Sequence, residues 1–271
     1  MKSIKLMSLG LVIFSTVTLG ASFAQAADPV ANTDADVKFV VDDGEGEPMN
    51  PKEPEVVDPT DPTGPGKEVD PGEEGSGGNG TKSFNINWVS NFKFGEIKIG
   101  STTMTAFSAP TTLTWKDGST PTIGLANFLQ VTDNRGTNEG WRVDVTGTPF
   151  YELDGAGEKA TPEVTLAGAS ITLNEGNIVG NTTTQAAADL APKAFNTGVD
   201  ILGTGSPYTV MQAEIGKGQG TWAVNWGADN NGTALKDNAG VQLSVPVSAQ
   251  PKANKDYRST LKWTLMATPN N

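Results

Sequence analysis

The 271 residues include no cysteine and no histidine, which excludes a disulfide framework, a thiol nucleophile, a Ser-His-Asp triad and a His-ligated zinc site. The formal charge of -12 is uneven: residues 27–80 carry 15 Asp and Glu against three Lys, whereas residues 81–271 carry 16 against 14 Lys and Arg. No basic stripe is left to neutralise phosphates, so nucleic acid is not an expected partner.

Residues 1–26 have the pattern of an export signal. Lys2 and Lys5 give a positive start, LMSLGLVIFSTVTLG an apolar stretch, and Ala24-Gln25-Ala26 a small-residue cleavage site. Crossing a membrane takes roughly 18 or more apolar residues, so the run is marginal and the cleavage site favours its removal. No second apolar segment follows, and the mature chain is expected to carry no transmembrane segment. No C-terminal sorting signal for covalent attachment is visible either, so retention on a cell is expected to be non-covalent.

Residues 27–80 form an acidic Pro/Gly-rich tether. From about residue 42 onward almost no aliphatic side chains occur, so little burial offsets the entropy of ordering and the segment is expected to stay extended and solvated. At roughly 3.1 Å per residue for polyproline-like chain, about 40 such residues reach on the order of 100 Å. Just before them, VKFVV puts Val37, Phe39 and Val41 on alternate positions, a possible short strand near residues 37–41 able to add to a sheet edge.

Residues 81–271 change character, to short alternating runs separated by Gly, Asn, Asp and Pro. SFNINWVSNFKFG alternates Phe84, Ile86 and Trp88; FLQVTD and GWRVDVTG flank the turn DNRGTNEG; VTLAGASITLNEG, YTVMQAEIG, TWAVNWG and VQLSVPVS continue the pattern. Apolar residues do not persist at helical spacing except for a turn or two in TTQAAADLAP. Strands every eight to twelve residues with turn chemistry between them predict an all-β fold, an antiparallel β-sandwich. The last two runs are expected to pair as a long-looped hairpin: Val241, Leu243, Val245 and Val247 on one face, SAQPKANKD as the loop, and Tyr257 to Ala267 returning.

Two tryptophan segments, GWRVDV and LKWTLMATP, give the chain its resemblance to the WxL cell-surface family of Gram-positive bacteria. The second is similar to the family's distal motif, with Tyr257, Leu261, Trp263, Thr264, Leu265 and Pro269. The first resembles the proximal motif after its turn, with Asp133, Asn134, Arg135, Gly136, Thr137, Gly140 and Trp141, although Val143 stands where leucine is expected. NWVSNFKFG with its Phe94-Gly95 close, the acidic approach, and GTWAVNWG followed by LSVP extend the likeness over nearly the whole mature chain. The resemblance implies a small secreted protein held non-covalently on peptidoglycan or an associated wall polymer, often encoded with a membrane-anchored partner protein that shares the binding. Docking on that partner, or adhesion to host matrix proteins, are the alternative functions it implies.

The candidate binding residues are Trp141, Trp263, Leu265, Trp222 and Trp226, each of which has two readings. In one, Trp263 fills the core with Leu261 and Leu265, as Trp141 does with Val143 and Val145. In the other, the indole stacks on a sugar face. Trp222 and Trp226 share a strand face with Val224, and one of them, near Gly227, is a candidate contact. ADNNGTALKDNAG offers only two aspartates eight residues apart, a poor match to the six to eight oxygens a calcium ion takes. No carboxylate pair is singled out by spacing for glycoside hydrolysis. No catalytic residue, metal or cofactor is expected, and the protein is read as a non-enzyme.

Overall fold

The computed structural model describes residues 69–70, 75–78, 80–111, 114–115, 126–174, 176–180, 189–195, 199–200, 206–227 and 238–269. The expected export signal, the possible strand near residues 37–41 and most of the tether lie outside the described residues. So do most of TTQAAADLAP and most of the loop weighed against a calcium site.

Among the described residues the regular elements are strands, apart from a 3-10 turn at Val247–Ala249 and the helical residue Asp189, and they are joined by turns and by irregular stretches such as residues 91–100. In chain order come β1 (Val69–Asp70), β2 (Gly75–Ser76), β3 (Phe84–Ser90), β4 (Met104–Ser108), β5 (Thr114–Trp115) and β6 (Asn127–Asp133). Next are β7 (Trp141–Gly147), β8 (Tyr151–Glu152), β9 (Ser170–Leu173), β10 (Gly176–Gly180), β11 (Lys193–Ala194) and β12 (Val199–Asp200). The last are β13 (Tyr208–Ala213), β14 (Gly220–Trp226), β15 (Asn238–Val245), β16 (Tyr257–Arg258) and β17 (Leu261–Met266). The fold is all-β and antiparallel, as the alternating pattern predicts.

Three sheets supply the core. One has the order β10-β14-β6-β3-β2, the second β11-β13-β7-β17 and the third β12-β9-β15-β4; β1 with β5, and β16 with β8, form two-stranded additions. Cross-strand partners share a face, so Leu129 and Val131 line up with Val224 and Trp222 in the first sheet, while Val143 lines up with Met211 and Leu265 in the second. Ile171, Leu173, Val241, Leu243 and Val245 come from the third. All of these belong to one continuous apolar cluster. β1 and β2 fall before residue 81, inside the stretch read as tether, and pair with the domain through two residues each.

Two expectations are corrected. The first concerns β3, where the pairing skips a residue between Ile86 and Trp88. A bulge adds one residue and reverses the faces beyond it, so Trp88 lies opposite Gln130, on the other side of the sheet from Ile86 and Val131. There it stacks on Phe128 with ring centroids 6.1 Å apart, and both are buried.

The second concerns the final pair of runs, which do not form a hairpin. β15 pairs with β4 and β9, and β17 pairs with β7 in a different sheet. Val247 leaves the strand face for the 3-10 turn and is exposed. The returning run is also broken, because Ser259 and Thr260 interrupt it between β16 and β17. There Thr148 intervenes: its carbonyl accepts from the Ser259 hydroxyl at 2.6 Å, and its Oγ1 accepts from the Thr260 backbone N–H at 2.9 Å.

Candidate binding cavity and the two tryptophan motifs

The turn before the first motif is held by its own charges. Asp133 closes β6 and accepts from the Arg135 backbone N–H at 3.1 Å, from Nε at 2.8 Å and from Nη2 at 2.8 Å. This bidentate pairing pushes the Arg135 guanidinium further above its ordinary value, its carboxylate hydrogen bond outweighing partial burial. Nη2 also donates to the Gly140 carbonyl, and the guanidinium lies 3.7 Å from the Phe84 ring centroid. Gly140, at φ +74, passes so close to β13 that a Cβ would lie 2.5 Å from the Ala213 carbonyl oxygen. The DNRGTNEG text is therefore a structural clamp that delivers Trp141 into the second sheet.

Trp141 is 0% exposed and its Nε1 donates to the Gly218 carbonyl at 3.0 Å. Val143 and Val145 follow it inward. On the opposite face Arg142 pairs with Asp144 at 3.0 Å, and Asp144 also accepts from the Thr209 hydroxyl at 2.7 Å. Trp222 and Trp226 are buried as well, so neither is exposed near Gly227. Trp222 Nε1 donates to the Gln219 carbonyl at 2.9 Å.

The second motif is placed differently. β17 lies beside β7 with Trp263 opposite Val145 and Leu265 opposite Val143, so the two motifs are neighbours across one ladder. Both Trp263 and Leu265 are only partly buried and pack against the core from its margin. The Trp263 ring joins Trp226 and Phe92 in a three-ring cluster, with centroid separations of 5.7, 6.0 and 6.3 Å. Edge-to-face and tilted geometries of this kind suit the quadrupoles of the rings.

On its other side Trp263 lines a cavity of about 1270 Å³. Its walls are the extended segment 91–99, the floor around Phe150, Leu166 and Leu243, and the loop 251–260. Phe94 meets Phe150 edge-on at 6.4 Å. The loop is pinned by Glu152, a buried carboxylate that accepts from Lys252 Nζ at 2.8 Å and faces Lys255 Nζ at 3.5 Å. The Lys252 hydrogen bond, with help from both ammonium charges, holds the Glu152 carboxyl below its ordinary range, while Glu152 in turn raises Lys252. The Lys252 backbone N–H also donates to the Tyr257 hydroxyl at 3.1 Å.

Of the sequence candidates, Trp263 alone lines the cavity; Trp226 backs it from the core, Leu265 lies beside it on β17 at the core margin, and Trp141 and Trp222 lie inside the core. Residues that sequence reasoning missed are Phe92, Phe94 and the cations of the loop. A signal was present: Lys252, Lys255 and Arg258 occur within one short stretch of a domain whose charges otherwise nearly balance.

The fold and the site together define an all-β antiparallel module in which a tryptophan-marked ladder runs along an open, aromatic-walled cavity. The sequence profile of the WxL domain surface cell wall-binding family matches residues 26–269, and the chain belongs to that family. It is accordingly a cell-surface protein that binds the cell wall. No curated protein and no solved structure matches it.

Proposed function

We propose that the protein is exported by the leader at residues 1–26 and attaches non-covalently, without catalysis, to peptidoglycan. The observation that supports this reading best is the continuity of the match, which takes in the tether as well as both tryptophan segments. The absence of histidine and cysteine supports the non-catalytic part. Binding groups on a rigid strand scaffold commonly sit on its loops, and here the loop 251–260 meets the second motif. Sedimentation of the purified full chain with insoluble peptidoglycan tests the attachment; a protein left wholly in the supernatant counts against direct binding. A cell-wall zymogram tests the lack of catalysis, and a cleared band would refute it.

One observation favours a second reading, docking on a membrane-anchored partner. β17 has β7 on one side and, among the described residues, no strand on the other. An open edge accepts an added strand. Sedimentation with and without the partner's extracellular part separates the two readings, because docking predicts wall retention only in its presence.

A further inference from the structure

We propose that the cavity between segment 91–99 and loop 251–260 is the site that takes the wall ligand, and that this ligand is a glycan carrying anionic groups. The inference rests on the wall-binding reading and adds to it a location and a chemistry.

Size is the first argument. About 1270 Å³ exceeds the roughly 300–1,000 Å³ that enclose a drug-sized molecule, so an oligosaccharide with more than one ring has room. Wall chemistry is the second. Phe92, Phe94, Tyr257 and Trp263 present rings along the lining, and the apolar face of a sugar stacks on such rings while its hydroxyls remain free for polar neighbours. Trp263 is braced from behind by Trp226, so its ring is held in place before any ligand arrives.

Charge is the third argument. Residues 81–271 carry 16 Asp and Glu against 14 Lys and Arg, yet the lining gathers Lys93, Lys98, Lys252, Lys255 and Arg258 against Glu96 and Asp256. Lys252 and Lys255 are engaged by Glu152. Lys98 and Arg258 form no ion pair among the described residues; Arg258 only donates to the Gly157 carbonyl at 3.4 Å. Two cations that form no ion pair among the described residues, beside an aromatic wall, are the arrangement that recognises a carboxylate or phosphate on a sugar chain. A neutral glycan would leave them without a role. An added protein strand would need paired backbone groups and not this charge.

The test is co-sedimentation of the full chain with sacculi. It compares the wild type with the double reversal Lys98→Glu, Arg258→Glu, and with a matched reversal at Lys82 and Lys262, which lie outside the lining and control for net charge. Unchanged thermal melts establish that all three fold. The expected result is an affinity loss of about tenfold or more for the cavity variant alone, accompanied in the wild type by a change in indole emission when soluble muropeptides are added. Sacculi stripped of phosphate polymers by hydrofluoric acid distinguish the sources: retention there assigns a peptidoglycan carboxylate, and lost retention a phosphate. Equal binding by wild type and cavity variant would overturn the site while leaving wall attachment intact. A wild type that fails to sediment with either preparation would overturn both, and retention only with a membrane-anchored partner would assign the surface to protein docking.

Discussion

Trp226 and Trp263 stand with ring centroids 5.7 Å apart, yet only Trp263 lines the cavity, while Trp226 is 0% exposed. The inner ring supports the outer one, so their truncations should differ. Trp226→Ala is expected to cost about 3–5 kcal/mol, as for other fully buried large aromatics, and Trp263→Ala less than about 3 kcal/mol, because part of its surface already meets water. Urea melts of the two variants compare them. A Trp263→Ala protein as unstable as Trp226→Ala would make that ring a core residue first and a cavity wall second.

The first motif should respond as a packing element. Trp141→Phe opens a void where the larger indole packed and leaves the Gly218 carbonyl unsatisfied, for an expected loss of about 2–4 kcal/mol. Gly218→Ala should do at least as much damage, about 2–4 kcal/mol. Its φ is +77, and an added Cβ would lie 2.3 Å from the Ala213 Cβ and 2.6 Å from Trp141 Nε1. Melting temperatures of the two single variants provide the check, and a neutral Gly218→Ala would contradict the tight approach.

Placing at Val143 the leucine that the resemblance leads one to expect should not help this chain. Val143 is 0% exposed and sits between Met211 and Leu265 across the two ladders. An extra methylene there has to be fitted among buried neighbours, and Val143→Leu is expected to destabilise by about 1–3 kcal/mol. A rise in melting temperature would show that the site had slack.

Acid should loosen the loop over the cavity. The Lys252 hydrogen bond holds Glu152 below its ordinary value of 4.5, so the native carboxyl is more acidic than the unfolded one. Its contribution to stability is therefore fully present above the unfolded value and is lost as pH falls through the depressed native value. Glu152→Gln removes the pair at every pH. The melting-temperature gap between wild type and Glu152→Gln should be largest near neutrality and narrow as pH falls below the ordinary carboxylate value and through the depressed native one. A gap of the same size at every pH down to the acid limit of the fold would mean that the side chain acts through packing alone.

Alternation made much of this fold legible. Trp141, Val143 and Val145 share the buried face that their spacing predicts, and Arg142 and Asp144 share the other. The same rule failed in β3, because a bulge at Asn87 is invisible to a pattern of period two: Asn87 is as compatible with a regular strand as with the extra residue of an irregular one. Burial of Trp222 and Trp226 followed from partners in β6 and β10 that no local window contains.

The sequence by itself determined that the chain lacks histidine and cysteine chemistry, that its acidity is concentrated before residue 81, and that the body is built of strands, with Trp141, Val143 and Val145 on one apolar face. Those properties are local, set by side-chain type and by the two-residue repeat of an extended backbone. Only the tertiary structure decided that β15 and β17 part company to join different sheets, and that residues 91–99 and 251–260 meet around Trp263. The reason is physical. An alternating strand offers the same hydrogen-bonding edge to any partner, so pairing is settled by which combination buries the most apolar surface at once, a property of the whole chain and not of any segment.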